Sequence, residues 1–249
     1  MIEKGILCIL LIGFILTLSG ATDPARRTLR VLVVVGGHDY NEKAFDEMLD
    51  GFPGIVWKLV KHPDSYAYFT SPLAGTYDVI LQYDMNKAMP EQARKDSLSL
   101  LKKGKGLVVL HHSYCGNEDF PEYRKIIGGQ YFHTEWTDED GTVKPASFYQ
   151  HDVRFRVTVE DPDHFITGGL SDFEIVDEIY GGGYVASDVH PLLATKAPTS
   201  NPLVGWTHQY KKSRVVTLLL GHDEQAWNNK TFRTLLQRSI DWAAGQDNH

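Results

Sequence analysis

The stretch "VTLLLGHDEQAW", residues 216–227, poses the fold question. A largely apolar run from Val216 to Leu220 stops at Gly221, and His222, Asp223 and Glu224 follow before a helix-like segment. A run of this length without polar alternation reads as a strand buried on both faces, the kind found in parallel sheets covered by helices. A polar cluster at its carboxyl end then sits where open parallel sheets bind their ligands.

Working outward, the pattern recurs. "LRVLVVVGG" (29–37) leads to His38, and "GLVVL" (106–110) runs directly into His111 and His112. "GIVWKLV" (54–60) and "YDVILQYD" (77–84) read as two further strands. Between the strands at 29–37 and 54–60, "NEKAFDEML" (41–49) carries Ala44, Phe45, Met48 and Leu49 at helical spacing. "MPEQARKDSLSLLKKGK" (89–105) has a proline in its first turn and a glycine near its end, and "NKTFRTLLQRSIDWAAG" (229–245) closes the chain as a helix. Strands alternating with helices predict a mostly parallel central sheet with helices on both faces. "GGQYFHTEWTDEDGTVKP" (128–145) reads as a long loop, and "VRFRVTVE", "FEIVDEIY", "PLLATKA" and "PLVGWTHQY" after it form a β-rich insertion.

With 249 residues, 42% of them hydrophobic, the chain can bury one sizeable core, and residues 28–245 read as a single domain without linker or repeat. The net charge of -7 and the lack of a basic stripe argue against a nucleic-acid footprint. Residues 1–21, "MIEKGILCILLIGFILTLSGA", read as a signal peptide: one lysine, an apolar run from Ile6 to Leu18, then Ser19 and Ala21 at the −3 and −1 positions of a cleavage site. The run is short for a membrane span, although an uncleaved anchor is the competing reading. No cysteine follows it, so lipidation is not indicated; the expectation is a periplasmic or secreted mature protein without a stable span. Removal of Cys8 with the leader leaves Cys115 alone, and no internal disulfide can form.

Three buried strands that end in histidine place His38, His111 with His112, and His222 on one edge if the sheet is parallel. Imidazoles and carboxylates suit general acid–base chemistry, with His111 or His112 and His222 as the pair and Glu178 or Glu224 orienting them. They also suit a divalent metal ion such as zinc, nickel or iron, for which His38, His112 and His133 are candidate ligands. No local metal motif is present, so such ligands would have to be assembled by the fold. Tyr40, Tyr114, Trp136, Tyr180 and Trp206, with Tyr184 and Trp227, flank these segments; aromatic faces of this kind pack against sugar C–H faces.

Taken together, the opening strand, the "LVVLHHS" turn, "FHTEW", "DEIY" and "GHDEQAW…IDWAAG" resemble the ThuA-like (trehalose utilisation) family over about residues 28–245. That resemblance implies a class I glutamine amidotransferase-like, flavodoxin-like three-layer sandwich, and a small-molecule sugar or glycoside as partner, handled through 3-keto intermediates. It also favours His133 as a site residue. Amidotransferases of this class carry a nucleophilic cysteine on the strand-to-helix elbow and a His-x-Glu pair after a late strand. Here His222 and Glu224 match the pair, but His111 occupies the nucleophile's place, which argues against glutamine hydrolysis. Hydrolysis, elimination and isomerisation beside a ketone remain open as reaction types. Two rival readings are a non-catalytic sugar-binding protein built on a degenerate amidotransferase-like pocket, and a hydrolase using Cys115.

Overall fold

The computed structural model describes residues 27–86 and 88–247; the leader read at residues 1–21 lies outside the described residues. The chain opens with β1 (Leu29–Gly36), α1 (Glu42–Asp50), β2 (Ile55–Lys61), β3 (Val79–Asp84), α2 (Glu91–Lys102) and β4 (Gly106–Leu110). After α3 (Pro121–Ile127) come the short strands β5 (Gly129–Gln130), β6 (Trp136–Thr137) and β7 (Val143–Lys144), then β8 (Phe148–Val159) and β9 (Phe173–Gly181). The last part is β10 (Tyr184–Val185), β11 (His190–Thr195), β12 (Leu203–Tyr210), β13 (Ser213–Leu218), α4 (Glu224–Trp227) and α5 (Lys230–Ala243).

Among the described residues, nine strands form one sheet in the order β2-β1-β3-β4-β13-β12-β11-β8-β9. The first five are parallel. From β12 onward every pairing is antiparallel, so the β-rich insertion is no separate layer but a continuation of the same sheet. The sheet is therefore mixed, with a parallel half and an antiparallel half, where the sequence pattern suggested a mostly parallel one. The long loop at 128–145 holds two small pairings, β5 with β10 and β6 with β7.

Alternation along the central strands fixes the layers. Ile80 and Gln82 line a cleft against α2 and α3, whereas Tyr83 stacks on Phe45 of α1 and meets Trp227 of α4. α5 comes so close to β4 that a Cβ on Gly106 would lie 2.1 Å from the Ala243 carbonyl oxygen. Asparagines cap the first and last helices: Asn41 accepts from the Ala44 amide, and Asn229 from those of Thr231 and Phe232. No helix among the described residues is long and apolar enough to cross a membrane.

Strand direction decides what shares an edge. The carboxyl ends of β1, β3, β4 and β13 lie together because these strands are parallel. Four successive reversals lead from β13 to β9, so β9 again ends at that edge, while β8, running oppositely, begins there. Register shifts in β11 at 191–194 and in β8 at 150–153 bend the antiparallel half. The bending returns β9 to the centre, where Asp177 receives the Gly221 amide at 2.7 Å.

At the opposite edge, Arg30 of β1 grips Asp78 with two side-chain bonds of 3.1 and 2.9 Å, and its backbone amide adds a third of 2.9 Å. Burial opposes ionisation of Asp78, but these bonds and Arg27 outweigh it and hold the carboxyl well below the usual range. A carboxyl depressed in the folded state contributes stability that is present above its unfolded pKa, about 3.9, and lost as pH falls through the folded value. Asp78→Asn should therefore lower stability by about 1–2 kcal/mol at pH 7, the pair being partly exposed. The gap to the wild type should shrink on acidification below about pH 4, read by urea titrations across that range.

Candidate functional site

The site grows from the elbow after β4. His111 has φ +43°, a left-handed conformation rare for a residue with a side chain, and a buried 3₁₀ turn, His111–Cys115, follows. Such strain persists only where surroundings enforce it. Here Ser113 donates to Asp84 Oδ1 at 2.6 Å and accepts the Asp84 amide at 2.9 Å. Asp84 Oδ2 in turn meets His62 Nε2 at 2.6 Å, and Ser65 completes the chain on His62 Nδ1 at 2.7 Å.

The His111 ring is fully buried, with Nδ1 2.6 Å from the Leu219 carbonyl oxygen. A carbonyl only accepts, so Nδ1 carries a proton, and the tautomer with one proton has its lone pair at Nε2. That nitrogen faces Glu178 Oε2 at 3.1 Å. His222 Nε2 approaches the same oxygen at 3.2 Å, while its Nδ1 lies 3.4 Å from Asp223 Oδ2. His112, only 3% exposed, has no hydrogen-bond partner on either ring nitrogen. Burial, reinforced by the neighbouring imidazoles, pushes its pKa far down and keeps it neutral. Ligand atoms from His111, His112, Glu178 and His222 all lie within 4.8 Å of one another, so this cluster could hold a metal ion.

Backbone clamps hold His222 in place. Asp177, buried and pushed up to about 6 by that burial, accepts the Gly221 amide on Oδ2. Its Oδ1 accepts the amides of His222 and Glu178, both at 2.9 Å. From the other side the Tyr83 hydroxyl donates to the His222 carbonyl at 2.6 Å. Gly221 makes the turn possible: it has φ +103°, and a Cβ there would lie 2.7 Å from the Phe232 ring.

Over the cluster opens a cavity of about 290 Å³. His38, stacked on His112 at 3.7 Å, and Glu178 line it, with Tyr131, His133, Tyr149, His151 and Tyr180. The His38 ring donates from Nδ1 to the Asp39 carbonyl, and its Nε2 makes no bond among the described residues. A larger cavity, about 580 Å³, lies at the other edge beside α2 and is lined by no imidazole.

The fold thus gathers His38, His111, His112, His133, His222, Glu178 and Tyr180. Other candidates fall elsewhere. Glu224 is exposed on α4, accepts from Asn41 Nδ2 at 3.3 Å, and does not reach His222; Glu178 and Asp223 take its part. Tyr114 and Trp206 are core residues whose polar tips are used up on backbone carbonyls, of Tyr184 and Ile127 respectively. Tyr40 packs on Phe45 and Tyr83, and Trp136 stacks on Phe132. Sequence reading missed Asp177, Tyr131, Tyr149 and His151. Tyr131 lies two residues from His133 in "YFHTEW" and Asp177 opens "DEIY" beside Glu178, both usable hints; Tyr149 and His151 carry no local signal.

Cys115 borders the cavity but is buried, and that burial pushes its thiol well up. It lies at the far end of the turn that starts at His111. A thiol kept protonated is a poor nucleophile. Alkylation of the native protein by iodoacetamide at pH 7.5 should be at least about tenfold slower than in the urea-unfolded chain, measured by mass spectrometry. A native rate equal to or above the unfolded one would restore Cys115 as a candidate nucleophile.

The sequence profile of the ThuA family, described as trehalose utilisation, matches residues 30–243. No curated protein matches the sequence significantly. The fold is similar to that of a ThuA-like protein from Parabacteroides merdae ATCC 43184, with TM-score 0.73 and 18% identity over 88% of this chain and 90% of that one. A ThuA-like protein from Bacteroides uniformis ATCC 8492 gives TM-score 0.65 and 18% identity, over 90% and 94% of the two chains. A glutamine amidotransferase from Thermotoga maritima gives TM-score 0.51 and 9% identity, over 88% and 99%. With its α/β sandwich similar to that of amidotransferases and the family profile spanning nearly all its described residues, the chain belongs to the ThuA family.

Proposed function

We propose that this protein is an enzyme acting on sugars or glycosides, with a divalent metal ion held by His111, Glu178 and His222 and with His112 as a fourth donor. The family description supports a carbohydrate-related role. The chemistry rests on one observation: a carboxylate oxygen is faced by two imidazole Nε2 atoms at 3.1 and 3.2 Å, and the tautomer of one is fixed so that its lone pair points at that oxygen. Two electron-rich atoms this close, both buried, call for a cation between them. Two donors each about 2.1 Å from one ion lie about 3.0–3.4 Å apart for angles from octahedral to tetrahedral, which these separations satisfy. The Leu219 carbonyl acts as the outer partner that ligating histidines commonly have.

A bound divalent ion would supply Lewis acidity, polarising a sugar carbonyl or hydroxyl oxygen. The remaining roles belong to side chains. Burial and the His111 ring lower the His222 pKa, which keeps the imidazole neutral and able to ligate or accept a proton near pH 7. His38 offers a ring nitrogen to sugar hydroxyls, and Tyr131, Tyr149 and Tyr180 offer aromatic faces. His111 at the elbow leaves no thiolate to form an acyl intermediate, which speaks against glutamine hydrolysis. Trehalose-like glycosides and their 3-keto derivatives are the substrates to assay, for hydrolysis, elimination and isomerisation alike. The leader read at residues 1–21 supports export to the periplasm or beyond.

The test uses untagged mature protein. Elemental analysis should find about one divalent ion per chain. His222→Ala and Glu178→Gln should lose most of the ion and lower turnover on 3-keto-glycosides by about 10²–10⁴, with melting temperature near wild type. Turnover without metal would favour acid–base catalysis by the same residues. Sugar binding without turnover of any kind would make the protein a binding module.

A further inference from the structure

His151 stands beside the four-donor cluster without belonging to it. Its position has a specific cause in the register of β8 on β9. Gln150 pairs with Ile179 and Val153 with Asp177, so His151 and Asp152 together oppose the single residue Glu178. This is a β-bulge, a device that re-aims side chains next to sites. Asp152 in the bulge is left-handed, φ +55°, and its carboxylate accepts from Gln225 Nε2 of α4 at 2.7 Å. His151 is left on the cavity side. Its Nδ1 is 3.8 Å from Glu178 Oε2, the oxygen that His111 and His222 also face, and its ring centroid is 4.9 Å from that of His222.

That 3.8 Å is just beyond the spacing of about 3.0–3.4 Å for two donors on one ion. The side chain is 51% exposed at the cavity mouth, so a rotamer change meets little packing resistance. His111, His112 and Glu178, by contrast, are buried and fixed. His151 lines the cavity that opens over the cluster. Resting on the metal reading above, we infer that His151 is an exchangeable metal ligand: it closes the coordination shell when the cavity is empty and yields its position to an incoming substrate oxygen. The bulge is what places a movable imidazole there.

The test needs no substrate. Apo protein, His151→Ala and His151→Gln are titrated with Co²⁺, reading visible absorption and affinity by chelator competition. Both variants should still bind Co²⁺, about 10–100-fold more weakly, with altered absorption bands. Added imidazole should restore the wild-type spectrum in His151→Ala, a rescue that a merely structural defect would not show. Wild-type affinity and spectrum in both variants would overturn the role of His151 while leaving the metal site standing. Failure of the wild-type protein to bind Co²⁺ would overturn the metal reading and this inference with it.

Discussion

One carboxylate oxygen organises this molecule. Glu178 is 95% buried, and burial alone would neutralise it. A charge in such a place persists only with partners, so the surrounding chain has to deliver them. They come from the end of β4, the turn after β13 and the bulge of β8. Its neighbour Asp177 points to the opposite face of the same strand, as the two-residue period of a strand requires, and fastens the turn that carries His222. Two adjacent acids thus serve two ends, one facing the cavity and one building it.

Delivery depends on the shape of the sheet. In strand order β9 is four places from β13, too far to meet β4 in a flat sheet. Bulges in β8 and β11 bend the antiparallel half until β9 returns to the carboxyl ends of the parallel strands. The insertion is therefore half of the site. Without it the elbow would present His111 to solvent with no carboxylate opposite.

The elbow shows how one scaffold can change chemistry. The left-handed backbone at His111 and the Ser113–Asp84–His62 chain beneath it keep a strained turn in place. In an amidotransferase-like frame that turn projects a nucleophile; here it projects an imidazole with a fixed tautomer. The strain is retained while the projected group changes from an attacking atom to a donor. Cys115, four residues on, is buried beside the cavity, and burial pushes its thiol up.

Much of this was legible in the sequence, for identifiable reasons. The runs ending at Gly36, Leu110 and Leu220 could be read as strands of one parallel sheet, and that topology alone brings His38, His111, His112 and His222 to one edge. Motif order foretold the family, and Gly221 marked the turn. The choice between Glu178 and Glu224 was not legible: two residues beyond His222, Glu224 looks nearer, but the start of α4 turns it outward to Asn41. Nor could aromatic composition separate Tyr180, in the cavity, from Tyr114 and Trp206, in the core, since each type suits either place. His151 depends on a one-residue register shift between β8 and β9, and nothing local encodes that shift. Sequence periodicity determines which face and which end of a strand a residue occupies. Only the bending of the sheet, a collective result of register and packing, decided which distant strand end would supply the carboxylate.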